Sequence, residues 1–210
     1  MARQVILVLA GVNGAGKSSV GGHILTQAGL SWFNPDDYAQ ALQAETRENI
    51  AQANAAAWHE GLRRLDMAMA LNQSHALETT LGGSTIAKRL LAASRSHDVR
   101  VWYCGLKSPE QHIARVKARV AAGGHDVAEA LIRQRLRSSR ENLIALMPHV
   151  AQVQIWDNSA QVAPGDVIPE PRLLAEVLAG QLYWPTDLTS LQATPDWAKP
   201  LLEAALDGQS

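Results

Sequence analysis

Gly11-Val12-Asn13-Gly14-Ala15-Gly16-Lys17-Ser18 constrains this chain more than any other stretch. It follows Val5-Ile6-Leu7-Val8-Leu9-Ala10, a continuous apolar run of the kind a strand buried on both faces of a parallel sheet requires. A helical pattern opens at Lys17 and runs to about Ala28. Strand, glycine loop and helix in that order form a phosphate-binding loop of the Walker A type. Glycines at 11, 14 and 16 permit backbone angles that turn successive N–H groups inward, and the helix adds the positive end of its dipole. On this reading Gly11, Asn13, Gly14, Ala15, Gly16, Lys17, Ser18 and Ser19 bind nucleotide phosphates. Lys17 neutralises the β- and γ-phosphates and Ser18 offers its hydroxyl to Mg²⁺, so ATP and Mg²⁺ are the expected cofactors.

The rest of the chain alternates in the same way. Short apolar runs at Ser31 to Phe33, His75 to Glu78, Val99 to Gly105 and Val153 to Asp157 read as further parallel strands. Between them, Asp36 to Asn72, Ser84 to His97, Pro109 to Ala122 and Asp126 to Met147 read as helices. Asp126 is the expected N-cap of the last, with Glu129 completing a capping box, and Pro148 closes it. The implied fold class is α/β, a P-loop NTPase-type three-layer sandwich with a mainly parallel five-stranded sheet and a helical lid. Residues 1–160 form the expected kinase-type domain, with the lid at about 109–147. Residues 159–171 read as a loop, and 161–210 as a C-terminal appendage packed on the same domain.

Charge narrows the partners. Nineteen Lys and Arg against twenty Asp and Glu give a formal net charge of -1, so no global field draws the chain to nucleic acid or to an anionic membrane. The single cysteine, Cys104, forms no internal disulfide, which fits a reducing cytoplasm. The N-terminal apolar run is far below the ~20 residues that span a bilayer and leads directly into the glycine loop, so it reads as a strand rather than a signal.

A phosphate loop alone does not separate a kinase from a nucleotide switch. Asn34-Pro35-Asp36-Asp37 ends a strand and begins a helix, where ligands collect in open α/β sheets. A carboxylate there can take the proton of an attacking hydroxyl, or it can simply cap the helix. Glu78 and Thr80, at the end of the next strand, face the same crevice and suit a polar substrate. Arginines crowd the two helices joined by Gly123-Gly124-His125: Arg115 and Arg119 share one face, Arg133, Arg137 and Arg140 another, and Arg135 points elsewhere. Paired helices with guanidinium forks resemble a lid that closes over a triphosphate. His125, with no second ligand at metal spacing, reads as a turn residue bonded to the backbone.

Together, Gly11 to Ser18, Asn34-Pro35-Asp36, Glu78-Thr79-Thr80, Arg119 to Val127 and Asp157-Asn158-Ser159 resemble the zeta-toxin family of P-loop kinases, over residues 4 to 160. The resemblance implies phosphorylation of a hydroxyl on a UDP-activated amino sugar such as UDP-N-acetylglucosamine. By motif position it makes Asp36 the proton acceptor, Lys17 the phosphate ligand, and Glu78 with Thr80 the substrate contacts. Arg119 and one of Arg133 or Arg135 clamp the γ-phosphate, and Asn158 lies near the base. It also leaves room for an antitoxin protein as partner. The rival readings are a kinase of another sugar or of a nucleoside, a nucleotide-dependent ATPase or switch, weakened because Val99 to Gly105 ends without an aspartate, and a nucleic-acid 5′-hydroxyl kinase, opposed by the neutral charge.

Overall fold

A computed structural model describes residues 3–22, 25, 31–46, 49–160 and 169–208. Among them, one mixed sheet holds six strands in the order β2-β1-β3-β4-β5-β6. The strands are β1 (Val5–Ala10), β2 (His75–Thr79), β3 (Asp98–Gly105), β4 (Gln152–Asp157), β5 (Arg172–Leu178) and β6 (Gln181–Trp184). The first four run parallel, and the last two are antiparallel additions at one edge. The sheet therefore has six strands rather than the five expected, because the alternating Leu173-Leu174-Ala175-Glu176-Val177 segment of the tail adds to β4.

Among the described residues, seven α-helices flank the sheet: α1 (Pro35–Thr46), α2 (Ile50–Ala70), α3 (Ser84–Ala93), α4 (Pro109–Ala121), α5 (Glu129–Leu146), α6 (Leu188–Gln192) and α7 (Lys199–Asp207). The helix-prone stretch from Asp36 to Asn72 is thus two helices. Asn49 starts the second, its side chain accepting from the Gln52 amide while Gln52 reaches back to the Asn49 amide. None of the described helices is long and apolar enough to cross a membrane.

Two local expectations are corrected. The 31–33 strand is a single bridge from Phe33 to Leu77, since Pro35 has no N–H for a ladder and starts α1 at once. Asp126 does not cap α5: its Oδ1 accepts from the adjacent Val127 amide at 2.8 Å, and the cap position falls to Ala128, which has no side chain to bond. The helix expected from Lys17 is present where it is described, at Lys17, in a π-helical turn at Ser18–Gly22 and at Leu25; residues 23, 24 and 26–30 lie outside the described residues, as do 161–168 of the expected loop.

β1 sits between β2 and β3, and Ile6, Val8, Ala10, Val99, Val101, Val153 and Ile155 are fully buried. Each Val or Ile in that layer contributes roughly 1.5–3 kcal/mol by leaving water. Because β1 to β4 are parallel, their carboxyl ends meet along one rim. The register pairs Leu9 with Glu78 and Ala10 with both Thr79 and Tyr103, so the loop after Ala10 emerges directly beside Glu78.

Candidate active site

The phosphate loop is held from two sides. On one, the Asn158 amide donates to the Ala15 carbonyl at 2.9 Å, so close that a Cβ on Gly16 would stand 2.3 Å from Asn158 Nδ2; φ at Gly16 is +84°. Glycine is required there for both reasons. On the other, His112 on α4 lies 2.8 Å by Nδ1 from the Asn13 carbonyl. That carbonyl can only accept, so Nδ1 carries the proton and the partnerless, buried Nε2 does not. Burial pulls the His112 pKa down to about 4, against the opposing effect of its bond to Asn13, so the ring is neutral near pH 7.

Lys17 is 8% exposed, and its Nζ stands 3.5 Å from Glu78 Oε1. Ser18 Oγ donates to Glu78 Oε2 at 2.8 Å. A hydroxyl and a carboxylate at the phosphate end are hard oxygen donors of the kind Mg²⁺ takes. Among the described residues no group of three or more His, Cys, Asp or Glu could hold a metal alone, so Ser18 with Glu78 is the donor set that fits this ion, completed by phosphate oxygens. Ser19 lies in the π-helical turn by its backbone, and its side chain falls outside the described residues.

Asp36 stands in the first turn of α1, and Asn34 does the capping: its Oδ1 accepts from the Asp36 amide at 3.0 Å. The Asp36 carboxylate is therefore free for other work. Arg119 Nη1 lies 3.5 Å from its Oδ2, and His125 Nε2 lies 3.7 Å from the same oxygen. Arg119 also donates to the His125 carbonyl at 3.1 Å, and its Nη2 is 3.3 Å from His125 Nε2. The turn that allows this has no room for a side chain at 124, where a Cβ would meet Arg119 Cγ at 2.7 Å. His125 is thus a member of the Asp36 cluster as well as a turn residue. The signal for it was the His immediately after the glycine pair, six residues from Arg119.

The two arginines proposed as alternatives part company. Arg135 on α5 donates from Nη1 to Asn13 Oδ1 at 2.8 Å, and burial lowers its pKa while nearby Asp36 raises it. Arg133 points away and pairs with Glu110 at 3.0 Å on an exposed surface. Arg115 donates to the carbonyls of Asn158 and Ala160 at 2.8 and 3.1 Å, which shapes the loop after β4.

Lys17, Asp36, Glu78, Thr80, His125 and Arg135 line one cleft of about 520 Å³. Thr80 accepts from the Gly82 amide at 3.4 Å, and Ser139 and Asn142 of α5 donate to the carbonyls of Thr80 and Leu81 at 2.8 Å. The turn after β2 is thereby fixed to α5. Trp58, also in the lining, had not been singled out; its only sequence sign was a large aromatic closing the alanine run 51–57.

Comparison with known proteins agrees with this architecture. A protein of Haemophilus influenzae, described only as uncharacterized, is 28% identical over 132 residues, 60% of this chain and 87% of that protein. The AvrRxo1-ORF1:-ORF2 structure with ATP superposes with a TM-score of 0.66 at 14% identity, covering 100% of this chain and 65% of the other. The chain thus spans somewhat under two thirds of that neighbour's length. The PezAT chromosomal toxin–antitoxin structure of Streptococcus pneumoniae gives 0.52 at 15% identity, covering 97% and 87%. At these identities the likeness is one of fold, a P-loop kinase-type α/β sandwich. The AAA_33 family model, described as an AAA domain, matches residues 6–143, and with well over half of its length so matched, this chain belongs to that family.

Proposed function

We propose that this protein is an ATP-dependent phosphotransferase that moves the γ-phosphate onto a hydroxyl of a small molecule. The observation that carries the reading is the convergence of Lys17 and Asp36 on one cleft, a phosphate ligand and a carboxylate that is not spent on capping its helix, at the carboxyl rim of a parallel sheet. ATP as the nucleotide draws support from the AvrRxo1 structure, which was determined with it.

In this mechanism the N–H groups of residues 11–16 and Lys17 hold the β- and γ-phosphates. Asp36 takes the acceptor's hydroxyl proton as that oxygen bonds to the γ-phosphorus, the bond to the bridging oxygen breaks, and ADP leaves. Arg119 and Arg135 offset the charge that spreads over the transferring group. Ser18, with Glu78 behind it, would hold Mg²⁺, which supplies charge neutralisation between the phosphates. Glu78 and Thr80 border the acceptor, and Asn158 with Arg115 shapes the side where the base belongs. A pure ATPase or switch shares Glu78 and the loop but leaves Asp36 without a task. Cys104, buried and with its thiol pushed up to about 12 by burial, fits a reducing cytoplasm. An antitoxin-type protein partner, as in PezAT, belongs to this proposal too.

Incubation with γ-labelled ATP and a panel of UDP-sugars, nucleosides and simple sugars tests the reading. Asp36→Ala should abolish transfer with ATP affinity nearly unchanged, and Lys17→Ala should weaken both. Full transfer by the Asp36 variant would sink the assignment.

A further inference from the structure

The acceptor end of the cleft has a chemistry distinct from the phosphate end. Trp58 is 44% exposed, and it lies on the wall of the cleft rather than on open surface. Tryptophan is highly buried on average, so an indole left half open inside a cavity calls for a ligand to cover it. His59 braces the ring in a T-shaped contact, with 5.3 Å between centroids and 84° between planes. Leu131, 37% exposed, and Ile86 line the same cavity.

Apart from Asp126, the polar groups at this end are neutral. Asn54 stands four residues before Trp58 on α2, hence on one face, and Gln134 and Ser138 are likewise four apart on α5. The amides of Asn54 and Gln134 make no hydrogen bond among the described residues, which leaves them for a ligand's hydroxyls. The cations that line the cleft, Lys17 and Arg135, both belong to the phosphate loop and its contacts. Away from that loop and the Asp36 cluster, the charged lining residue is Asp126, a carboxylate.

We infer that the phosphoryl acceptor is an uncharged, ring-bearing hydroxyl compound, a free sugar or a nucleoside, that lays a ring face on Trp58 while a hydroxyl reaches Asp36. This deepens the proposed kinase reading and rests on it. Apolar ring faces stack favourably on indole, and neutral amides satisfy hydroxyls without a charge partner. A sugar joined to a nucleoside diphosphate instead adds two negative phosphates at an end of the cleft whose lining, outside the phosphate loop with its contacts and the Asp36 cluster with its Arg119, offers one carboxylate, Asp126, and no cation. Partly desolvated anions so placed are costly. The acceptor so defined departs from the UDP-amino sugar implied by the motif resemblance.

Matched pairs of acceptors test it: a free N-acetylated amino sugar against its UDP-linked form, and a nucleoside against its 5′-monophosphate, each with γ-labelled ATP and the full chain. The uncharged member of at least one pair should have the higher kcat/KM, by about tenfold or more. For that compound, Trp58→Ala should raise the acceptor KM about tenfold, as loss of one stacking surface does, with the ATP KM held within about twofold. Trp58→Phe should recover most of the loss. Preference for the phosphorylated members, an unchanged acceptor KM in Trp58→Ala, or refusal of every uncharged compound by a chain that still binds ATP overturns the inference. Loss of ATP binding to the wild-type chain overturns the kinase reading itself.

Discussion

Arg135 reaches the phosphate loop along a narrow path. Its Cγ would lie 2.9 Å from a Cβ on Gly82, and its guanidinium ends on Asn13 Oδ1 at 2.8 Å. A planar fork delivered this way can hold a loop oxygen with one nitrogen and a phosphate oxygen with another, and a lysine ammonium cannot reproduce that geometry. Arg135→Lys should therefore lower kcat about a hundredfold while ATP affinity changes little, because the lost interaction develops in the transition state. Arg133→Lys should leave both within about twofold, since that side chain is exposed and occupied with Glu110. Steady-state kinetics with calorimetry of ATP binding checks the pair. Equal losses in both variants would refute the choice of Arg135. The sequence alone left this choice open: Arg133 and Arg135 are two apart on one helix, and only the docking of α5 against the loop separates their roles.

At the scale of elements, strand and helix spans were legible because buried strands need apolar runs and helices need caps. β2, β3 and β4 lie within a residue or two of where the apolar runs put them. Strand order was not legible. Nothing local in His75–Thr79 says that it pairs with β1, so Glu78 read as a substrate contact, whereas the pairing also brings it to Lys17 and Ser18. The tail was opaque for the same reason, since its partners lie far away in sequence. The Trp197 ring packs on Gly105 and lies 6.5 Å from Tyr103, its Nε1 donates to Asp157 Oδ1 at 3.3 Å, and its carbonyl accepts from Arg140 at 3.3 Å. Asp157 Oδ1 also accepts from Ser159 Oγ, so the tail is wired to the loop that carries Asn158. Trp197→Phe removes the Nε1 donor together with the outer ring atoms that pack on Gly105. It should cost about 1 kcal/mol of stability in chemical denaturation, and raise the ATP KM a few-fold with the acceptor KM unchanged.

His112 ties the stability of the whole molecule to the state of the phosphate loop. In the unfolded chain it titrates near 6.5, and in the fold near 4, so between those values the unfolded state binds the extra proton. Stability is then full above pH 6.5 and drains away as pH falls toward 4, by about 3 kcal/mol if the entire shift is realised. That is a large part of the 5–15 kcal/mol typical of a folded protein. His75, whose pKa burial also lowers, pulls the same way. In His112→Asn the Nδ2 can replace Nδ1 as donor to the Asn13 carbonyl while nothing titrates. Denaturation curves at pH 7, 6, 5 and 4 and fixed ionic strength should show the wild type losing markedly more stability than this variant, and parallel losses would show that His112 is not the source. The phosphate loop itself is spared over most of this interval, because in the fold the ring stays neutral until pH approaches 4 and Nδ1 goes on donating to the carbonyl of Asn13, the residue that also anchors Arg135. ATP affinity of the wild type should therefore track that of His112→Asn closely between pH 7 and 5, and a decline in the wild type alone near pH 6 would show that the folded ring titrates well above 4.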